Sequence, residues 1–439
     1  MLWQVKKVLK NYFPDLHARL NGLTDSRRGK IEYTTEELLM AAIVLFVLKC
    51  ESRNVFNLKY KDDNFSKNYY RLFRLKAPNT ETVNDLLCKM KEGEFEELRC
   101  RFISGLLEKR VFHQFRFFGK YFCVAIDATG IYNWNETPPE GIDKYALEKK
   151  SSQGKISRST LAAEAVLICS NGMTIPLVTE WIANDGKEYE KQDCELNAFK
   201  RLAPKLKKFF SRLPICLLVD GLYTNVALMD VCKQNQWKFI TVLKDGNLPS
   251  VREEVESLLP LAKNTQEQIV CDPNYWYTYT YNWIKDLDYK KHDINWMECI
   301  VEKQHRESKE TEIKRFVYLT NLDVNKDSVA GLIKAGRARW CIEDHFNTQK
   351  NRGHVLHHKF SRINFNAIKC WHHARQLACL IGELVEYSQE IRQIFKEISI
   401  MTFEELWKNL ASILTYNQVD EVVAEFEHWS KSRRQVRLE

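Results

Sequence analysis

No apolar run in this 439-residue chain is long enough to cross a membrane. The longest, Leu38-Leu-Met-Ala-Ala-Ile-Val-Leu-Phe-Val-Leu48, falls short of the roughly 20 residues that a spanning helix needs. No cleavable signal pattern opens the sequence. The thirteen cysteines are odd in number and include no Cys-x-x-Cys pair, which argues for reduced thiols over a disulfide frame or a structural zinc site. No clean heptad reveals a coiled-coil interface. These absences lead to the expectation of a cytoplasmic protein with no membrane partner.

What is present suits a folded protein of several segments. Apolar residues make up 44% of the chain, ample for a core, and the length suggests about two to four domains. Lys and Arg total 66 against 58 acids, a formal charge of +8. That mild excess fits an ordinary soluble surface as well as a nucleic-acid partner, whose phosphates would concentrate cations along one track.

Residues 1–118 read as helical. Thr34-Thr-Glu-Glu37 offers an N-cap with first-turn acids before the long apolar run, and Asn79-Thr-Glu repeats the device after Pro78. Basic and aromatic residues interleave in Lys59-Tyr-Lys61 and over 67–76, a string that fits a DNA surface or a charged helix with one buried aromatic stripe. From 119 the pattern turns to strands over 121–132, 161–169 and 174–183, the last two joined by the hairpin turn Ser170-Asn-Gly172. A helix over 188–208, a strand ending at Asp220, a helix over 223–235 and a strand over 237–243 complete the β-β-β-α-β-α-β order of an RNase H-like fold. The expected class is therefore α/β, a mixed sheet flanked by helices. Between 245 and 316 alternating strands are rich in aromatics, with Tyr275, Trp276, Tyr277, Tyr279, Tyr281 and Trp283 close together; this is a sheet-pairing pattern before it is a base-stacking one. An apolar helix over 365–389 should bury against the sheet, and a tail ending Lys431-Ser-Arg-Arg-Gln-Val-Arg437 follows.

Two aspartates end apolar, β-prone runs. Asp127 follows Tyr121-Phe-Cys-Val-Ala-Ile126, and Asp220 follows Ile215-Cys-Leu-Leu-Val219. A carboxylate on a core strand must be paired, hydrogen-bonded or metal-bound, because an isolated buried charge costs many kcal/mol. Farther along, Arg339, Glu343 and Lys350 are spaced four and seven residues apart. At about 100° per residue a helix would set Arg339 roughly 40° and Lys350 roughly 20° from Glu343, on one face. One acid beside two cations is ordinarily a solvated stripe, but the two strand acids change its meaning. Three carboxylates are a donor set for Mg²⁺, which takes oxygen ligands and is held by one or two carboxylates plus substrate phosphate oxygens. Two such ions about 3.5–4 Å apart can serve an in-line displacement at phosphorus.

The segments Val124-Ala-Ile-Asp-Ala-Thr-Gly130, Leu218-Val-Asp-Gly-Leu-Tyr223 and Arg339-Trp-Cys-Ile-Glu-Asp-His-Phe346 with Lys350 resemble the three acidic blocks of DDE transposases of bacterial insertion sequences, in the group named after insertion sequence four. Lys191-Gln-Asp-Cys-Glu-Leu-Asn-Ala-Phe-Lys-Arg-Leu202 and Phe316-Val-Tyr-Leu-Thr-Asn-Leu322 read alike, so the resemblance spans about residues 120–385. The third block of that group normally reads Tyr, two residues, Arg, three residues, Glu, six residues, Lys. Here Gly336 stands where Tyr is expected, leaving that phenol's contact missing or supplied elsewhere, with Arg337 the candidate.

The resemblance implies Asp127, Asp220 and Glu343 as catalytic and metal-binding acids, with two Mg²⁺ ions for which Mn²⁺ substitutes, and Arg339, Lys350 and Arg337 as phosphate-binding cations. It implies double-stranded DNA partners, namely terminal inverted repeats and target DNA, and a homodimer in the synaptic complex, near the nucleoid of a bacterial cytoplasm. The division that follows is 1–118 for DNA-end binding, 119–244 with 317–390 for an RNase H-like catalytic domain, 245–316 for a β-rich insertion and 391–439 for a helical, basic tail. An RNase H-like Mg²⁺ nuclease and a non-catalytic DNA-binding protein derived from a transposase are the alternatives. Asp193 and Glu195 match a block of the group, yet acids are favoured in a helix's first turn by its dipole, and they stay off the catalytic set.

Overall fold

The computed structural model describes residues 2–29, 31–91, 93–184, 194–397, 402–417, 419–432 and 435–439. In chain order its strands are β1 (Phe122–Trp134), β2 (Leu147–Lys150), β3 (Ile156–Ile168), β4 (Thr174–Trp181), β5 (Ile215–Val219), β6 (Lys238–Val242), β7 (Thr265–Cys271), β8 (Tyr275–Tyr289), β9 (His292–His305) and β10 (Thr311–Thr320). β3 lies antiparallel to β1 and pairs along its other edge with β2 at its start and β4 at its end. On the far side of β1, β5 runs parallel to it and β6 parallel to β5. The order β4-β3-β1-β5-β6, with its antiparallel first half and parallel second half, is an RNase H-like sheet.

The β-rich segment after residue 245 extends this sheet rather than forming another. β10 pairs antiparallel with β6, and β9, β8 and β7 follow outward from it. Tyr275, Tyr277, Tyr279 and Tyr281, two residues apart, form a ladder with ring centroids 6.1, 6.4 and 6.3 Å apart. Trp283 is buried on the same strand and Trp276 is exposed.

Among the described residues, seven α-helices precede the sheet: α1 (Leu2–Tyr12), α2 (Leu16–Asn21), α3 (Thr35–Val47), α4 (Arg53–Tyr60), α5 (Asp63–Phe73), α6 (Thr80–Lys89) and α7 (Glu94–Glu108). The capping box on α3 closes as its sequence suggests, Thr34 accepting from the Glu37 N–H and Glu37 from the Thr34 N–H. Beyond its first turn α3 is apolar all round and correspondingly buried. The remaining helices are α8 (Glu195–Phe209), α9 (Val226–Asn235), α10 (Pro249–Ala262), α11 (Val329–Arg337), α12 (Cys341–Asn351), α13 (Phe365–Glu386), α14 (Gln389–Glu397), α15 (Phe403–Tyr416) and α16 (Asp420–Lys431). The helix expected from 188 begins at Glu195, its residues 188–193 lying outside the described residues. α10, with Pro249 in its first turn, opens the segment expected to be β-rich, ahead of its strands and where no helix was expected. The tail forms α15 and α16, and its last residues are pinned by a Ser388–Leu438 bridge and by Tyr12 donating to the Val436 carbonyl at 2.8 Å; Arg433 and Arg434 lie outside the described residues.

Alternation along β1 divides the core. Phe122, Val124 and Ile126 join the N-terminal helices and α13, whereas Cys123 and Ala125 face the side on which Ile342 and Phe346 of α12 pack. α13 is buried on nearly all sides and carries polar groups inside, among them His372, His373, Arg375 and Gln376. His354 is also buried and bonded to Lys49. These histidines are structural.

Glu383 of α13 accepts from the Thr174 N–H at 3.0 Å and the Thr174 hydroxyl at 3.1 Å. Burial first, then Glu386, pushes its carboxyl from 4.5 up to about 8. The folded protein therefore holds a proton on Glu383 that the unfolded chain releases above its ordinary value, so stability present at pH 4.5 is lost as the pH rises toward 8, by up to about 1.4 kcal/mol per unit. Glu383→Gln, neutral throughout, is expected to have a melting temperature that falls less between pH 5 and 8 than that of the unaltered protein. Thermal melts across that range check it, and parallel curves would contradict it.

Candidate active site

Register sets the first two acids together. β1 and β5 last pair at Ile126 and Val219, so Asp127 and Asp220 follow side by side at the point where β5 ends. Being odd-numbered on β1, Asp127 shares the face that α12 covers. Its Oδ1 accepts from the Ala128 N–H at 2.9 Å, and Asp220 Oδ1 accepts from the Gly221 N–H at 2.6 Å.

The third acid arrives on a broken helix. Instead of one continuous helix over 337–350, α11 ends at Arg337, a 3-10 turn covers Ala338–Trp340, and α12 begins at Cys341. Arg339 in that turn is buried. Its Nη2 bonds Glu343 Oε1 at 2.7 Å and its Nη1 lies 3.7 Å from Asp127 Oδ2. Its Nε is buried with no hydrogen-bond partner. Asp220 is held by Lys244, whose Nζ lies 2.7 Å from Oδ2.

The electrostatics follow from these placements. Burial pushes the Asp127 carboxyl above its ordinary range; the Ala128 N–H and Arg339 oppose this, while Glu343 and Asp220 add to it. Burial also pushes Asp220 upward but is outweighed by the Lys244 bond, the Gly221 N–H and Arg339, so its carboxyl sits below the ordinary range. Arg339 thus acts on all three acids at once. Three carboxylates offer the hard oxygens Mg²⁺ takes. Among the described residues, however, no three His, Cys, Asp or Glu side chains converge closely enough to hold an ion. The oxygens of Glu343 and Asp127 turn instead to Arg339 and those of Asp220 to Lys244. The donor chemistry fits Mg²⁺; coordination requires those two side chains to yield.

Lys350 has no ion pair with these acids, and Arg337 lies away from them, 4.7 Å above the Phe316 ring. Arg337 lines an open cavity of about 820 Å³ with Tyr279, Tyr281, Lys314, Lys334 and Trp340. A Cβ on Gly336 would stand 2.9 Å from Tyr318 Cε1 and 3.1 Å from Ile240 Cγ2. The space for a side chain at 336 is therefore filled by the Tyr318 ring of β10. Burial raises its hydroxyl to about 12 against the opposing pull of Arg337 and Arg339.

Lys244 escaped the sequence reading because it follows β6 and belongs to no local motif, and Tyr318, though within the 316–322 run, carried no role there because its contact with Gly336 joins distant segments. Glu195, set aside on helix-dipole grounds, lies at the start of α8 within the field of both aspartates. Its carboxyl is raised by burial, then by Asp127, with the Tyr223 hydroxyl opposing and Asp220 adding. Asp193 lies outside the described residues. Trp134 donates to Thr160 at 2.8 Å, and Trp181 packs edge-on against Phe365, so both are structural.

Because Lys244 competes with any divalent cation for Asp220, Lys244→Met is expected to tighten Mn²⁺ binding by up to about fivefold, the worth of a half-exposed ion pair. Calorimetric titration with Mn²⁺ checks this, and weaker binding would contradict it.

No protein-family model matches the chain, and no curated protein matches it. Among solved structures it is similar to a piggyBac transposase, determined by cryo-EM as a synaptic complex with hairpin DNA. The two share 9% identity at a TM-score of 0.41, over 98% of this chain and 83% of that one. No helix among the described residues is long and apolar enough to cross a membrane. Strand order and direction define the chain as an α/β protein with an RNase H-like sheet, carrying acids at the end of its central parallel pair.

Proposed function

We propose that this protein is a DDE-type DNA transposase of the group named after insertion sequence four, cutting at the ends of its element and joining the freed ends to target DNA. The observation that carries this reading is the reach of Arg339, bonded to Glu343 at 2.7 Å and 3.7 Å from Asp127, at the strand end where Asp220 leaves the sheet. That arrangement, with the Arg-x₃-Glu-x₆-Lys interval, supports assigning Asp127, Asp220 and Glu343 as the acids that hold two Mg²⁺ or Mn²⁺ ions. When bound, the metal pair supplies activation of the attacking oxygen and charge stabilisation of the leaving one.

The chain's own residues do the rest. Arg339, with its unpartnered Nε, offers planar donors to a phosphate, and Lys350 offers a point charge. Arg337, facing the aromatic cavity, grips the strand farther from the scissile bond. Water attacks phosphorus and the P–O3′ bond breaks, leaving a 3′-hydroxyl on the element and a 5′-phosphate on the flank. That hydroxyl then attacks a target phosphodiester, forming one P–O bond for each broken, so no energy-rich co-substrate is consumed. Two ends must be brought together, so a homodimer on DNA in a bacterial cytoplasm completes the proposal.

The test uses duplex oligonucleotides copied from the DNA on either side of the reading frame, where the proposal expects inverted repeats. Mg²⁺-dependent nicking and joining of a pre-cleaved end to plasmid DNA are expected. Cleavage without joining would indicate a nuclease, and binding without cleavage a non-catalytic DNA-binding descendant.

A further inference from the structure

Beneath the acids runs a buried chain of hydrogen bonds that the chemistry above does not use. Glu164 lies directly across the β1–β3 pairing from Asp127 and is fully buried. It accepts from His372 Nε2 at 2.9 Å and from Gln376 Nε2 at 2.8 and 3.1 Å, both on α13. Gln376 also donates to Gln349 Oε1 at 3.1 Å. Gln349 Nε2 lies 2.6 Å from His345 Nε2, one turn earlier on α12, and His345 Nδ1 lies 2.9 Å from the Thr174 hydroxyl. Thr174 in turn donates to Glu383.

One proton assignment satisfies the whole run. Gln349 donates to Nε2 of a neutral His345, His345 donates from Nδ1 to Thr174, and Thr174 donates to Glu383. His345 and Gln349 sit on the buried face of α12, while Glu343, two residues before His345, is 40% exposed on the site side. The network therefore fixes how α12 is rolled about its own axis against β3, β4 and α13. Apolar packing by Ile342 and Phe346 alone would leave that roll loosely specified, since hydrophobic contact is not directional.

We propose that the buried run from Glu164 through Gln376, Gln349 and His345 to Thr174 is a positioning device that sets the carboxylate of Glu343 relative to Asp127 and Asp220. This rests on the reading of those three acids as a divalent-cation site. Outer partners of ligand-bearing groups commonly change metal affinity by about tenfold or more when removed.

Mn²⁺ titration of the full chain, followed by electron paramagnetic resonance alongside thermal melts, tests it. Thr174→Val keeps the shape and deletes the oxygen between His345 and Glu383; Gln349→Met keeps the length and deletes both amide ends. Both are expected to weaken Mn²⁺ binding by about fivefold or more, whereas Thr174→Ser, which retains the oxygen, should stay within about twofold. Leu414→Ala, a core truncation in α15 outside the network, controls for general loss of stability. Equal affinity in Thr174→Val and Thr174→Ser, or equal weakening in Leu414→Ala, would overturn the inference while leaving the cation site intact. Unchanged binding in Glu343→Gln would overturn the cation site and this inference with it.

Discussion

Asp127→Asn is expected to lose metal-dependent cleavage by on the order of 10³-fold or more, the size of effect seen when one member of a concerted catalytic set is removed, while remaining folded. The two halves of this expectation have one cause. Burial pushes the Asp127 carboxyl upward, and the neighbouring charges of Glu343 and Asp220 add to it. An amide removes that repulsion and can still accept from the Ala128 N–H as the carboxylate does at 2.9 Å. What it forfeits is the negative charge that would draw a divalent cation. The melting temperature should therefore hold or rise as activity disappears, the usual sign of a site that sacrifices stability for function. Cleavage assays and thermal melts on the same preparation check this. A variant that loses activity by unfolding would make Asp127 a structural acid instead.

Gly336→Tyr, which would place here the residue usual in the group the third block resembles, is expected to damage the protein. Where Tyr318 Cε1 stands 2.9 Å and Ile240 Cγ2 3.1 Å from a Cβ at 336, even alanine should destabilise by about 1–3 kcal/mol. A phenol there must displace the buried Tyr318, separate α11 from β10 and β6, and shift the 3-10 turn that holds Arg339. Loss of cooperative melting, or a fall of many degrees, is expected for Gly336→Tyr. The double variant Gly336→Tyr with Tyr318→Gly should recover part of the loss by making space. A fully stable single variant would show that the ring of Tyr318 does not occupy the place of a side chain at 336.

The legible part of this fold is local. Val124-Ala-Ile and Ile215-Cys-Leu-Leu-Val are β-prone runs buried on both faces of a central sheet, so they read as strands without alternation. The Ser170-Asn-Gly172 turn announced its hairpin because Gly172 adopts φ +93°. Thr34 announced α3 through its capping box. The acids were legible because a carboxylate at the end of such a run needs a reason to be there.

What the sequence hid depends on contacts between distant segments. Lys244 meets Asp220 only because β6 lies next to β5, and nothing near Lys244 in the chain says so. The interruption of the 329–351 helical region between α11 and α12 coincides with the packing of Gly336 on Tyr318, a residue of another strand. α10 escaped because aromatic alternation farther along dominated the reading of the whole insertion. The N-terminal helices share one core with α13 and the sheet's inner face, a union that no local pattern reveals.

In the proposed function Asp127, Asp220 and Glu343 surround a divalent cation when Arg339 and Lys244 give way. A crystal of the 439-residue chain grown with Mn²⁺ and recorded at an energy where manganese scatters anomalously decides the matter. Anomalous density is expected about 2.1 Å from oxygens of Asp127 and Asp220, with Glu343 turned toward it and released from Arg339. Manganese bound only at surface carboxylates, with the Arg339–Glu343 and Lys244–Asp220 pairs unbroken, would contradict it.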